Sequence, residues 1–287
     1  MAIFTNSATL SYAGTTLTSN TVTGEILETV SISKTAVADL YTPGSDVSYV
    51  IALVNCGAQD VAGLTVTDDL GGYAFGGGTV YPLAYRDGSM RMFVNGRLQE
   101  APAVQAGPPL SVPALSIPAG GSLMLVYEAQ LTAFAPLGQS DAVVNTATVS
   151  GGGISVPLTA SASIAPVEQA VLSIRKSMDP TAVSVNGPLS YTFVIENTGS
   201  VPVTAADNAI LSDTFEPILQ PISVTYNGEA WTAGADYTYD PAAGEFASLP
   251  GKISVPAACF AQNADGTWAA TPGTATVVIS GTVTPGA

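Results

Sequence analysis

Two blocks of this 287-residue chain repeat one another, and that repeat constrains the fold more than any other feature of the sequence. Ser31-Ile32-Ser33-Lys34 matches Ser173-Ile174-Arg175-Lys176. At the same offset, Val47-Ser48-Tyr49 through Asn55-Cys56-Gly57 matches Leu189-Ser190-Tyr191 through Asn197-Thr198-Gly199. After a small insertion, Val66-Thr67-Asp68-Asp69-Leu70 matches Leu211-Ser212-Asp213-Thr214-Phe215. Val94-Asn95-Gly96 then pairs with Tyr226-Asn227-Gly228, and Leu125-Val126-Tyr127 with Val277-Val278-Ile279. Within each block, short runs alternate apolar and polar residues and are punctuated by Gly, Pro, Asn and Asp, which is the period of strands and turns. Asn-Gly in both copies signals a tight hairpin, because such a turn needs positive φ.

The copies part company at their ends. The first continues through Val143-Val144-Asn145-Thr146-Ala147-Thr148-Val149 and a second alternating run, Ile154 to Ala160, before the linker Ala165-Pro166-Val167-Glu168-Gln169; the second stops near Val283-Thr284. A segment of the missing kind lies at the other end of the chain. Phe4, Asn6, Ala8, Leu10 and Tyr12 share one strand face, as Val143, Asn145, Ala147 and Val149 do, and a Gly-containing turn leads into Leu17 to Ile26. The expected architecture is all-β: two tandem immunoglobulin-like antiparallel β-sandwich domains plus an N-terminal donor-strand segment. The expected boundaries are 1–26 for the donor, 27–165 for domain 1 and 166–287 for domain 2, which is incomplete without a donated strand. A sandwich short of its closing strand exposes unpaired edges and an apolar groove, which strand addition from another copy repairs. The expected partner is therefore the protein itself, polymerising head to tail. The competing expectation is that residues 4–26 fold back on their own chain, giving a closed monomer or a swapped dimer.

Composition removes other classes. A net charge of −15 with only seven Lys and Arg argues against nucleic acid and anionic membranes as partners. The absence of His removes the usual general base and the usual zinc ligand, so no enzyme acting on an external substrate is expected, and no cofactor or metal. Asp68-Asp69 and the run Asp236 to Asp240 lack calcium-loop spacing and read as solvated turns. Cys56 and Cys259 follow no metal or redox spacing and are expected to be buried thiols. Neither a basic, apolar leader nor a run of about 20 apolar residues is present in the sequence as it stands.

Of the three lysines, Lys34 and Lys176 occupy equivalent places. Val30, Ile32 and Lys34 share a face, as do Leu172, Ile174 and Lys176, aiming each amine at a core. Leu64, Val66, Asp68 and Leu70 alternate together, as do Leu211, Asp213 and Phe215, so each domain is expected to bury one Lys, one Asp and one Asn. Burying such ions costs several kcal/mol each unless they are paired or neutralised. On the blander reading a strand-end Lys snorkels to solvent, the Asp serves a turn, and the Asn satisfies backbone groups. Both readings stand on the sequence.

The motifs Ser173-Ile174-Arg175-Lys176, Tyr191 through Gly199, Leu211-Ser212-Asp213 and Asn145-Thr146-Ala147-Thr148-Val149 resemble the conserved repeat domain of bacterial and archaeal surface proteins known as domain of unknown function eleven. That resemblance implies tandem β-sandwich modules in extracellular, stalk-like or fibrous proteins. The Lys, Asp and Asn set resembles the self-catalysed isopeptide domains of Gram-positive pilins and adhesins. This implies that a neutral lysine attacks an Asn carboxamide beside a protonated acid, with Asp68 and Asp213 as the catalytic acids. The bonds would be Lys34 to Asn145 within domain 1 and Lys176 to Asn6 of the next subunit in domain 2. The expected role is a structural subunit of a pilus-like filament on a cell or spore surface. The alternative is an adhesin whose loops, such as residues 71 to 110, bind a surface glycan or protein.

Overall fold

The computed structural model describes residues 2–26, 29–138 and 141–284. The chain divides into two compact units, the main division falling between Ala165 and Pro166. Among the described residues the one helical element is the short turn Ala205–Asp207. Everything else that is regular is strand, and the pairs whose register is defined between named strands are antiparallel.

In the first unit, Asp46–Asn55 and Ser122–Leu131 form the centre of one sheet, with the lysine strand Val30–Ala36 at one edge and the hairpin Arg91–Val94 with Arg97–Leu98 at the other. The facing sheet runs Leu110–Ile117, Val61–Asp68, Val143–Gly151, Leu158–Pro166 and Leu40–Tyr41. Alternation decides what is inside: Tyr49, Ile51 and Leu53 face Leu64, Val66, Val143, Ala147 and Val149, and their neighbours in sequence point out. In the second unit the first sheet repeats, as Leu172–Asp179, Pro188–Asn197, Gly273–Val283, Leu219–Tyr226 and Glu229–Trp231. Its facing sheet has only three strands, Ser212–Thr214, Glu245–Ser248 and Tyr237–Asp240.

Two of the repeated motifs are structural. Asn95 and Asn227 both sit at φ 49 in their hairpin turns, each followed by a Gly at positive φ. Asn55 and Asn197 are fully buried and lock the loop that follows them: each side-chain oxygen accepts the N–H of the Gly two residues on, Gly57 or Gly199, and each amide donates to loop carbonyls. A Cβ at Gly199 would stand 2.1 Å from the Gln169 carbonyl oxygen, so only Gly fits there.

The N-terminal segment is a hairpin and not one continuous strand. Ala2–Asn6 pairs with Val22–Ile26, and Thr9–Tyr12 with Thr15–Thr18 around a turn at Ala13 and Gly14. Ser7 and Ala8 interrupt the ladder because the Ala8 N–H donates to the Ser19 hydroxyl, a side chain taking the place of a backbone partner. The closing segment of the first unit is likewise a hairpin, with Asn145 opposite Ala162 as Asn6 is opposite Val22. In the N-terminal copy Phe4, Leu10, Tyr12, Leu17 and Val22 are each more than half exposed. The expectation of buried thiols is wrong. Cys56 lies in the turn after a strand and Cys259 opens a two-stranded ribbon, so both are free and exposed.

Candidate functional site

In the first unit the alternating faces bring the three expected residues into one buried network. Lys34 Nζ lies 2.6 Å from Asp68 Oδ2, and both side chains are essentially inaccessible, at 0% and 1% exposure. Asp68 reaches this place at the end of the strand Val61–Asp68, where its Oδ1 also accepts the Leu70 N–H at 3.0 Å. Asn145, fully buried on Val143–Gly151, meets the pair through a fourth residue. Its Nδ2 donates to the Tyr127 hydroxyl at 3.0 Å, and that hydroxyl donates to Asp68 Oδ2 at 2.5 Å. Tyr127 lies opposite Tyr49 in the sheet, their rings stacked with centroids 5.6 Å apart, and the Lys34 ammonium stands 5.0 Å over the Tyr49 ring.

Burial shapes the electrostatics. Desolvation pulls the Lys34 amine below its usual value, against the opposing pull of Asp68 and Asp69. The Tyr127 hydroxyl is driven well above the ordinary phenol value by burial first and by Asp68 second, and Tyr49 also moves upward by burial. Among the described residues, two buried side-chain polar atoms lack a hydrogen bond, Asn145 Oδ1 and Tyr49 Oη, and both belong to this cluster. A carboxamide oxygen sealed from water without a well-formed hydrogen bond costs about 1–3 kcal/mol. Tyr127 was not singled out from sequence, because an aromatic in an alternating run reads as core. The available signal was its mismatch with Ile279 in the second repeat.

In the second unit Lys176 and Asp213 also pair, at 2.5 Å, but remain 41% and 19% exposed. The Lys176 ammonium lies over the rings of Tyr191, Phe193 and Phe215, at 4.4, 5.5 and 5.7 Å. Within one chain this pair is thus partly open to solvent, in a domain expected to be incomplete without a donated strand. In domain 1 the edge of Val61–Asp68 is covered by Val143–Gly151, with Ala147 opposite Asp68 and Val149 opposite Val66. In domain 2 Ser212–Thr214 pairs with Glu245–Ser248 on one side, and no described strand pairs with its other edge. Beside that edge lies an apolar groove lined by Leu172, Ile174, Ile195, Ile210, Leu211 and Val255. Asn6, the expected third member, is on the exposed N-terminal hairpin.

Asp69 is a turn residue, its carboxylate accepting the N–H groups of Gly71 and Thr146. Asp236 pairs with Lys252 and accepts the Thr232 N–H. No group of His, Cys, Asp and Glu suited to a metal occurs among the described residues, and none of their helices is long and apolar enough to cross a membrane.

These two units define a two-domain β-sandwich protein. No family model and no curated protein matches the chain. Solved structures similar to it include the pilus backbone RrgB from Streptococcus pneumoniae, at 12% identity and TM-score 0.35 over 85% of this chain and 55% of that one. BcpA, the major pilin subunit of Bacillus cereus, is similar at 12% identity and TM-score 0.35, over 95% of this chain and 73% of that one. The collagen-binding domain from a Staphylococcus aureus adhesin is similar at 12% identity and TM-score 0.30, over 48% of this chain and 99% of that domain. The chain thus spans little more than half the length of the pneumococcal protein.

Proposed function

We propose that the protein is a structural subunit of a surface filament. The N-terminal hairpin of one copy adds to the free edge of Ser212–Thr214 in the next, so that subunits join head to tail. The observation that carries this reading is the unequal treatment of one position in two copies of one fold. The closing hairpin is present in domain 1 and has no counterpart among the described residues of domain 2, while a hairpin with the same Asn-x-Ala pattern stands exposed elsewhere in the chain. Transferring the domain 1 register sets Ala8 opposite Asp213 and Leu10 opposite Leu211. Phe4, Leu10 and Tyr12 then cover the apolar groove, and Asn6 takes the register position in domain 2 that Asn145 has in domain 1. A head-to-tail contact that does not close on itself builds an open fibre.

On this reading the Lys, Asp and Asn sets are sites of a single-turnover condensation. A bond forms between lysine Nζ and Asn Cγ, the Cγ–Nδ2 bond breaks, and ammonia leaves. The bond closes domain 1 within the chain through Lys34 and Asn145, and joins subunits through Lys176 and Asn6. In domain 1, burial pulls the Lys34 amine below its usual value, which favours the neutral nucleophile there.

The test is deletion of residues 1–26, read by electron microscopy and sedimentation. A filament subunit loses assembly and gains an uncovered apolar groove. An adhesin, the alternative role, stays a soluble monomer with its ligand affinity intact, and that result would reject the filament.

A further inference from the structure

We propose that Tyr127 is a catalytic residue of the Lys34–Asn145 condensation, passing a proton from Asp68 to the nitrogen that leaves. The inference rests on the covalent reading above and specifies how the leaving group departs. An amide nitrogen does not leave as an anion; it must be protonated as its bond to carbon breaks. In domain 1 the hydrogen bond of the Asn145 nitrogen goes to the Tyr127 hydroxyl and not to Asp68. The attacking and leaving nitrogens are the two ends of one unbroken path: Lys34 Nζ to Asp68 Oδ2 at 2.6 Å, Oδ2 to Tyr127 Oη at 2.5 Å, and Oη to Asn145 Nδ2 at 3.0 Å.

The protons balance along this path. Asp68 takes one from the Lys34 ammonium, and the free amine attacks Asn145 Cγ. In the tetrahedral adduct the Asn145 nitrogen has a lone pair to offer. Asp68 then returns its proton to the Tyr127 oxygen as Tyr127 gives its own to that nitrogen, and ammonia leaves. Asp68 next collects the second Nζ proton and yields it to the departing ammonia, so the products are the amide bond, an ammonium ion and an unchanged Asp68. Burial keeps the Tyr127 phenol protonated, which suits a group that relays a proton without storing charge. The second unit lacks this part. Tyr49 stands opposite Tyr127 and its equivalent Tyr191 stands opposite Ile279, a side chain with no proton to pass. The bond between subunits therefore forms more slowly than the bond within domain 1.

The experiment is Tyr127→Phe in the full-length chain, which keeps the ring against Tyr49 and Tyr85 and removes only the hydroxyl. Intact mass and peptide mapping are followed over time after purification, with thermal melting to confirm folding. Tyr85→Phe, which removes the hydroxyl of a neighbouring ring outside the path, is the control. In the wild type and Tyr85→Phe the mapped domain 1 peptides are expected to be lighter by one ammonia, with Lys34 joined to Asn145. Tyr127→Phe is expected to arrive folded at full mass and to condense about 10²- to 10⁴-fold more slowly, the usual contribution of one general acid or base. A folded Tyr127→Phe protein that carries the bond as fully as the wild type overturns the relay and leaves the condensation standing. A wild type at full mass with Lys34 and Asn145 unjoined overturns the condensation and the relay with it.

Discussion

Domain 1 and domain 2 place the same lysine and aspartate on the same strands and treat them differently. Lys34 and Asp68 are sealed at 0% and 1% exposure, whereas Lys176 and Asp213 remain 41% and 19% exposed. The same contrast runs along the lysine strand, where Val30 is buried and Ile32 half-buried, whereas their equivalents in the second copy, Leu172 and Ile174, are 47% and 53% exposed. Neither the pair nor the strand accounts for this, since both are repeated. One hairpin accounts for it. Val143–Gly151 and Leu158–Pro166 cover the first site, and nothing described covers the second. A burial pattern that looks like a property of residues thus depends on one covering hairpin, and on the proposed assembly a hairpin from the next subunit would supply it in domain 2.

The largest effect should come from supplying the hairpin in the wrong place. A copy of residues 4–26 fused behind residue 287 through a flexible Gly/Ser linker is expected to close domain 2 on itself and to abolish polymerisation, as seen in sedimentation. Filaments that persist would break the comparison. Next in size is removal of the carboxylate. Asp68→Ala leaves a buried ammonium unpaired and should cost domain 1 about 3–5 kcal/mol in urea unfolding. Asp213→Ala in unassembled protein should cost no more than about 1 kcal/mol, because solvent already screens that pair. Equal costs would mean that the difference in burial has no energetic weight.

The pH dependence sharpens the contrast further. In Asn145→Ala, where no bond forms, Lys34 still titrates. Its folded pKa lies below the unfolded value near 10.5, so between the two the unfolded chain holds more protons. Domain 1 of this variant should therefore gain stability as pH rises through that window and lose it as pH falls back through the folded pKa. A flat profile would contradict the desolvation of Lys34. The smallest effect should be the same in both domains. Asn95→Ala and Asn227→Ala each put at φ 49 a residue that tolerates the left-handed region less well than Asn, and remove an acceptor for the Ser122 or Thr276 N–H, so each should cost about 1–2 kcal/mol. A marked inequality there would show that the copies differ in more than the covering hairpin.

Much of this was legible in the sequence. The repeat, the alternation and the two Asn-Gly turns announce paired sandwiches, and alternation alone sets Lys34, Asp68 and Asn145 on facing surfaces. What was not legible depends on atoms that alternation does not fix. The break at Ser7 and Ala8 arises from the Ser19 hydroxyl entering the ladder, a contact across a hairpin. Cys56 and Cys259 are exposed because a turn and a short ribbon place them, overriding the tendency of free thiols to be buried. Tyr127 joins Asn145 to Asp68 only because its strand register sets it opposite Tyr49, and an aromatic in a strand gives no hint of which hydroxyl will find a polar partner.

The most direct test of the central claim is amide hydrogen exchange at Leu172–Asp179 and Ser212–Thr214 in protein lacking residues 1–26, with and without a synthetic peptide of residues 2–26. We predict that the amides on the free edge of Ser212–Thr214 exchange rapidly alone and become protected when the peptide is added, as Val61–Asp68 is protected throughout, and that Leu172–Asp179, already paired with Pro188–Asn197, gains further protection. Exchange at Ser212–Thr214 that the peptide leaves unchanged would contradict the account.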